Sequence, residues 1–132
     1  MMGNSWRSAQ KSRPWPEILR HYERIEGDSF EPMREFVSRI IESPYVSGLH
    51  AITSMHTLVV ANTPEFEWSF DVLRIDWEPQ QDSFYFDFVE EPFVVRRWRR
   101  KAGRLEGYAT FERFLKRKRW FIEYRESGTG SP

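Results

Sequence analysis

Cysteine is absent from this chain of 132 residues, and that absence excludes disulfides, thiolate nucleophiles and every zinc site built on sulfur. A cytoplasmic setting suits such a composition. Glycine is scarce, with 7 residues, and no phosphate-cradling glycine loop, dinucleotide fingerprint, Gly-x-Ser-x-Gly elbow or His-Glu-x-x-His helix occurs. Enzyme classes that carry those signatures are excluded. Long apolar runs are missing too: no stretch approaches the ~20 residues of a membrane span, and Met1 to Arg13 lacks the apolar core of a secretory signal. No membrane partner is expected. Net charge is the last absence, since 20 Lys and Arg balance 20 Asp and Glu.

Aromatic residues are abundant, at 17% of the chain with 11 Phe, 6 Trp and 5 Tyr, so core material is ample. The charges are unevenly distributed. Residues 62–92 hold one basic and nine acidic side chains, whereas residues 93–119 hold eleven basic and two acidic ones. Such a block pattern bears on partners more than on fold.

The length suits one domain, expected over 13–126, with the polar ends 1–12 and 127–132 read as flexible termini. Ile18, Leu19, Tyr22 and Ile25 fall at helical spacing between Pro14 and Glu26, with Ser12 available as a cap and Gly27 as a stop. Met33, Phe36, Val37, Ile40 and Ile41 repeat that spacing in a second helix, capped by Asp28 or Ser29 and ended before Pro44. The short connection makes the two a helical hairpin. Leu49 to Thr63 reads as one long strand or two short ones, and Phe66 to Trp77 and Ser83 to Val89 as a strand pair joined by a loop from Glu78 to Asp82.

Chemical pairing sets the register of that hairpin. Leu73 opposite Phe88, Ile75 opposite Phe86 and Trp77 opposite Phe84 give one apolar face, while Arg74 opposite Asp87 and Asp76 opposite Tyr85 give a polar one. Trp68, Phe70 and Val72 have the opposite parity, so a bulge or two-sided burial is expected near Val72. Phe93 to Lys101 is compatible with a strand or a helix, with the strand favoured because it follows a meander and is rich in Val and Trp. Ala109 to Lys118 reads as a last helix, and Trp120, Ile122 and Tyr124 alternate as a short strand. The expected fold is α+β: an N-terminal helical hairpin packed on an antiparallel β-meander of three to five strands, with a C-terminal helix. In outline this resembles cone-shaped ligand-pocket folds and small immunity proteins that block toxins.

Candidate chemistry is sparse. His50 and His56 share a parity but lie about 20 Å apart on a continuous strand, too far to share an ion without a turn, and His21 borders the apolar face of the first helix. Each reads as structural. Glu67, Asp71 and Asp76 read as a solvated strand face, with Asp76 and Tyr85 placed to hydrogen-bond. Ser8 to Lys11 matches a Ser-x-x-Lys pattern by chance alone, since its companion motifs are missing. No catalytic residue, cofactor site or metal site is expected.

The basic aromatic run remains, and the candidate partner-binding residues are Arg96, Arg97, Trp98, Arg99, Arg100, Lys116, Arg117, Arg119 and Trp120. Arg and Trp are frequent interface anchors, which points to a non-enzymatic interaction domain with a protein partner. Guanidinium forks and indoles also suit RNA or single-stranded DNA, and a small-ligand enzyme with His50 or His56 as general base is a third reading. Pairing of the run with Glu65, Glu67, Asp71, Asp82, Glu90 and Glu91 is expected to cancel much of its field.

Overall fold

The phenylalanines of one hairpin organise the sheet in the computed structural model, which describes residues 10–66, 71–90 and 97–120. Strand β5 (Leu73–Glu78) pairs antiparallel with β6 (Ser83–Val89), and Leu73, Ile75 and Trp77 stand opposite Phe88, Phe86 and Phe84. The expected register is the observed one. Four residues, Pro79 to Asp82, close the hairpin, with the Gln81 amide donating to the Glu78 carbonyl and Asp82 at φ 53°. Proline at the first turn position and a short polar residue in the left-handed region suit that loop.

The expected segment from Leu49 to Thr63 is two strands, β2 (His50–Ser54) and β3 (Thr57–Ala61), joined by Met55 and His56. Strand β7 (Arg97–Gly103) pairs with β6 along its whole length, which places strand over helix for that part of the ambiguous segment. The sheet order is β2-β3-β5-β6-β7, all antiparallel. Trp68, Phe70, Val94, Val95, Arg96, Ile122 and Tyr124 lie outside the described residues.

Helix α1 (Trp15–Glu23) buries Ile18 and Tyr22, and α2 (Glu31–Ile41) buries Met33, Phe36, Val37 and Ile40. Ile41 is half-buried because it closes the helix, just beyond the last turn of the apolar stripe. Ser12, Asp28 and Ser29 do not cap: Pro14 and Phe30 occupy the cap positions without side-chain bonds, and each helix carries proline in its first turn. Proline has no N–H to satisfy, so the need for a cap is smaller. Ser12 is drawn away instead, its amide donating to the Pro64 carbonyl at 2.9 Å. Helix α1 ends at Glu23, short of the expected Glu26, and Arg34 of α2 gathers the carbonyls beyond its end. The guanidinium donates to Tyr22, Ile25 and Gly27 at 3.0, 2.7 and 2.8 Å.

The chain is already paired at Gln10. Strand β1 (Gln10–Lys11) forms a two-stranded sheet with β4 (Glu65–Phe66), so residues 10–12 are structured where a frayed lead is expected from their polarity. Backbone hydrogen bonds carry this pairing, and side-chain pattern does not announce them. The parity change near Val72 is two-sided burial: Leu73 faces the helices, while Val72 packs with Ile52, Val59, Ala61 and Phe66 on the other face. Asp71, at φ 59°, makes the kink and donates its amide to the Val89 carbonyl at 2.8 Å.

Helix α3 (Gly107–Lys118) begins two residues before the expected Ala109 and covers the β6–β7 end of the helix-side face. Gly107 has a steric reason, because a Cβ there would lie 2.3 Å from the Phe84 ring. Phe36 joins α2 to the sheet and to α3, its ring centroid 5.1 Å from Phe84 and from Phe111 and 5.8 Å from Tyr108. Among the described residues no helix is long and apolar enough to cross a membrane. Replacing Phe36 with Ala should cost about 3–5 kcal/mol, measured by urea unfolding, as for other fully buried aromatic truncations. A loss below about 1 kcal/mol would show that α2 and α3 do not share this core.

Candidate functional site

Strand alternation sorts the basic run into two populations. Phe88, Phe86 and Phe84 stand opposite Trp98, Arg100 and Ala102, so these β7 residues face the helices. Arg97, Arg99 and Lys101 take the far face. There Asp87 accepts from Arg97 Nε and Nη2 at 3.0 and 2.9 Å, and Arg99 Nε lies 3.8 Å from the same carboxylate. The hydrogen-bonded Arg97 guanidinium holds the Asp87 carboxyl below its usual range. Lys118 is neutralised by Glu90 at 3.0 Å. Of the acids expected to cancel the run, Glu90 does so at Lys118, while Arg97 and Arg99 are answered by Asp87, which is not among them; Glu67 and Glu91 lie outside the described residues.

On the helix side, β7 and α3 enclose a groove of about 500 Å³ floored by Trp98, Phe114 and Thr110 and rimmed by Arg100, Arg113, Lys116 and Arg117, while Lys101 borders it from the strand edge with its ammonium over the Tyr85 ring on the far face. None of the four rim cations is in an ion pair among the described residues. Arg113 and Arg117 repeat at i, i+4 on α3, a like-charge spacing that disfavours the helix. Cations in the last turn of α3 do complement the helix dipole, which accounts for part of Lys116 and Arg117. It does not account for Arg100 on the strand.

The candidate residues are thus divided. Trp98, Arg100, Lys116 and Arg117 meet in the groove. Arg97 and Arg99 stand on the opposite face, although Arg97 also borders a second hollow of about 420 Å³ shared with Trp98, Arg117 and Glu90. Arg119 follows the helix in the left-handed region and is exposed. Trp120 is 4% exposed, its ring against Phe88 and Phe114, so it belongs to the core. Trp98 is half-buried, with its ring 4.9 Å from Phe114 and the Arg100 guanidinium over it at 4.9 Å. Arg113 completes the cluster and is not among the residues singled out from the sequence. The i, i+4 relation of Arg113 to Arg117 is the signal that would have found Arg113.

Among the described residues no histidine or carboxylate lines this groove. Elsewhere His50 lies half-buried on the edge strand β2, while His56 sits on the two-residue turn at the far end of that strand. The turn exists, yet it separates these two histidines. His56 meets His21 instead, with Nδ1 and Nε2 3.3 Å apart. Among the described residues no hydrogen bond links His50 or His56 to a carboxylate, and no three His, Asp or Glu side chains converge as metal ligands. Asp76 and Tyr85 are opposite each other as expected, but Asp76 accepts from Thr57 and Tyr85 contacts the Gln81 side chain.

No family model, curated protein or solved structure matches this chain.

Two histidines make stability depend on pH. Burial is the first cause that lowers the pKa of both His21 and His50 from the ordinary 6.5. The unfolded chain therefore binds protons more readily, so their contribution is complete above about pH 6.5 and declines as the pH falls through that value. Thermal melts from pH 8 to pH 5 should show this decline, and the His21→Gln, His50→Gln double variant should flatten it. An unchanged profile in the double variant would contradict the assignment.

Proposed function

We propose that this chain is a non-enzymatic binding domain that takes an acidic protein partner in the groove between β7 and α3. The carrying observation is the convergence of Arg100, Arg113, Lys116 and Arg117 on one groove without an ion pair among the described residues. Four like charges held together raise the free energy of the unbound protein, and carboxylates from outside relieve that cost. Trp98 and Phe114 add an apolar floor, the usual composition of an interface centre. A cysteine-free chain fits a reducing, cytoplasmic setting, and blocking of a partner in the manner of an immunity protein is one form the activity takes.

The burial of Trp120 and the guanidinium over Trp98 weigh against a single-stranded nucleic acid, because base stacking needs an open aromatic face. The enzyme reading, with His50 or His56 as base, is weakened because neither histidine nor any carboxylate is among the described residues that line the groove.

A test pairs a Glu-rich peptide containing Phe and Leu with a mixed-sequence single-stranded oligonucleotide, titrated at several salt concentrations. The peptide should bind, and Arg117→Glu and Arg100→Glu should each weaken it about tenfold or more, whereas Arg99→Glu should not. Retained oligonucleotide affinity at physiological salt, with a log–log slope of about −0.7 per phosphate, would transfer the site to nucleic acid. Peptide binding that is indifferent to Arg117→Glu and Arg100→Glu would remove the groove from the account.

A further inference from the structure

The exposed side of α1 carries charge that the core does not use. Glu17, Arg20 and Arg24 lie at i, i+3 and i+7, and Arg13 precedes them where the chain enters the helix. With His21 and with Thr53 of the edge strand β2 they surround a hollow of about 250 Å³ floored by the buried Ile18, at the opposite edge of the sheet from β7. Arg13 and Glu17 pair at 3.4 Å, but their side chains are 65% and 50% exposed, so that contact holds Arg13 only weakly. Arg20 and Arg24 are exposed and in no ion pair among the described residues, although like charges at i, i+4 disfavour a helix. The helix dipole favours cations at the end of α1, yet Arg13 stands at its start, where the dipole opposes one.

The donors around this hollow suit an oxyanion. A guanidinium is always charged, and its planar fork of N–H groups fits the oxygens of a phosphate. Residues at i and i+4 stand about 5–6 Å apart at Cβ, so Arg20 and Arg24 reach one tetrahedral group from the same helix face. The other wall is β2. Ser54 and Thr57 close the two-residue turn as a pair, so Thr53 and Leu58 form the next, non-hydrogen-bonded pair, and the Thr53 amide points out from the edge of the sheet. Thr53 shares the parity of Ala51 and stands opposite Leu58, both beneath the helices, so its side chain lies on the side of α1. Helix and strand are tied on both flanks of the hollow: the Arg13 amide donates to the Ala51 carbonyl at 2.8 Å, and the Tyr22 hydroxyl donates to the His56 carbonyl at 3.0 Å. A hydrogen bond between His21 Nε2 and His56 Nδ1 at 3.3 Å holds the His21 ring.

We propose that the hollow between α1 and β2 binds the phosphate group of a small soluble phosphomonoester, held by Arg20 and Arg24 with Arg13 and Thr53 at its sides. Its volume of about 250 Å³ takes a phosphate and a short carbon chain and lies below the roughly 300–1,000 Å³ of pockets for larger ligands. Glu23 and Glu26 are exposed beside Arg24, so an extended anionic surface, such as a membrane or a nucleic-acid backbone, meets their repulsion and a small ester does not. Binding is linked to a proton. Burial, His56 and Arg24 oppose the charged form of His21, and the Met55 backbone favours it. Arg13, Glu17 and Arg20 are the other charged groups on the walls of the hollow. A dianion there offsets the repulsion from Arg24, so His21 takes up a proton on binding, and affinity rises as the pH falls toward about 6.5 and below.

The test is an NMR amide titration of the full chain with glycerol 3-phosphate and with sulfate, at an ionic strength held constant with sodium chloride. Both anions should give saturable shifts at Arg20, Arg24 and Thr53, a readout that needs no variant. Arg20→Gln and Arg24→Gln should each weaken binding about tenfold, the range of one charge-assisted hydrogen bond, whereas Arg100→Gln should not. Sulfate stays a dianion from about pH 8 to pH 6, so its affinity should rise about threefold or more over that range, and His21→Gln should abolish the rise while His50→Gln leaves it. The site is overturned by linear shifts that chloride reproduces, by saturable shifts confined to β7 and α3, or by Arg20 and Arg24 variants that bind like wild type. Sulfate affinity that is flat with pH overturns the part given to His21. Sedimentation with vesicles of phosphatidylcholine and phosphatidic acid separates the two sources of a phosphate group: no binding that depends on Arg20 is expected, and vesicle binding that Arg20→Gln abolishes would assign the hollow to a membrane headgroup instead.

Discussion

The burial of Phe36 is the contact on which the rest of the arrangement depends. Its ring lies between Phe84 and Phe86 of the sheet on one side and Tyr108 and Phe111 of α3 on the other. Helix α2 is thereby fixed to the sheet, and α3 is fixed to both. Gly107 lets the start of α3 approach Phe84 closely. The seating of α3 over the sheet, and so the basic groove beside it, depends on that packing.

Alternation along β7 then decides where the charge goes. Residues at every second position of a strand share a face, so Arg97 and Arg99 fall on the side of Asp87, and Arg100 falls on the side of α3 with Trp98. Among the described residues the acidic block answers the first set and not the second. A chain with no net charge thus carries a local concentration of positive charge, because Asp87 shares a face with Arg97 and Arg99 and not with Arg100. Arg34 shows the contrasting use of a guanidinium, since its bonds to three carbonyls serve the fold alone.

Pattern-bearing features were legible in the sequence, and features made by the backbone were not. The β5–β6 register could be read because a slip by one residue would set Phe against Asp, and the stripe of α2 because Phe36, Val37 and Ile40 recur at helical spacing. The pairing of Gln10 and Lys11 with Glu65 and Phe66 uses amides and carbonyls that every residue has, so no side-chain rhythm marks it. Trp120 illustrates a different limit. Its neighbours Lys116 to Arg119 suggest an exposed basic segment, yet the ring turns back onto Phe88 and Phe114 after the left-handed Arg119. The meeting of His21 with His56 depends on where α1 lies over the sheet, a long-range fact that neither local segment contains.

The central claim is that the positive charge of the β7–α3 groove is uncompensated among the described residues, and the salt dependence of stability tests it without any partner. Arg117→Gln and Lys116→Gln remove charge from a cluster of like sign, so each should raise the free energy of unfolding at low salt by a few tenths of a kcal/mol, on the order of the like-charge i, i+4 effect. The gain should disappear in ~1 M salt, where the screening length is about 3 Å. A loss of stability at low salt that grows smaller with added salt would mean that these side chains are paired with acids of the chain itself, and the groove would then have no charge left for a partner.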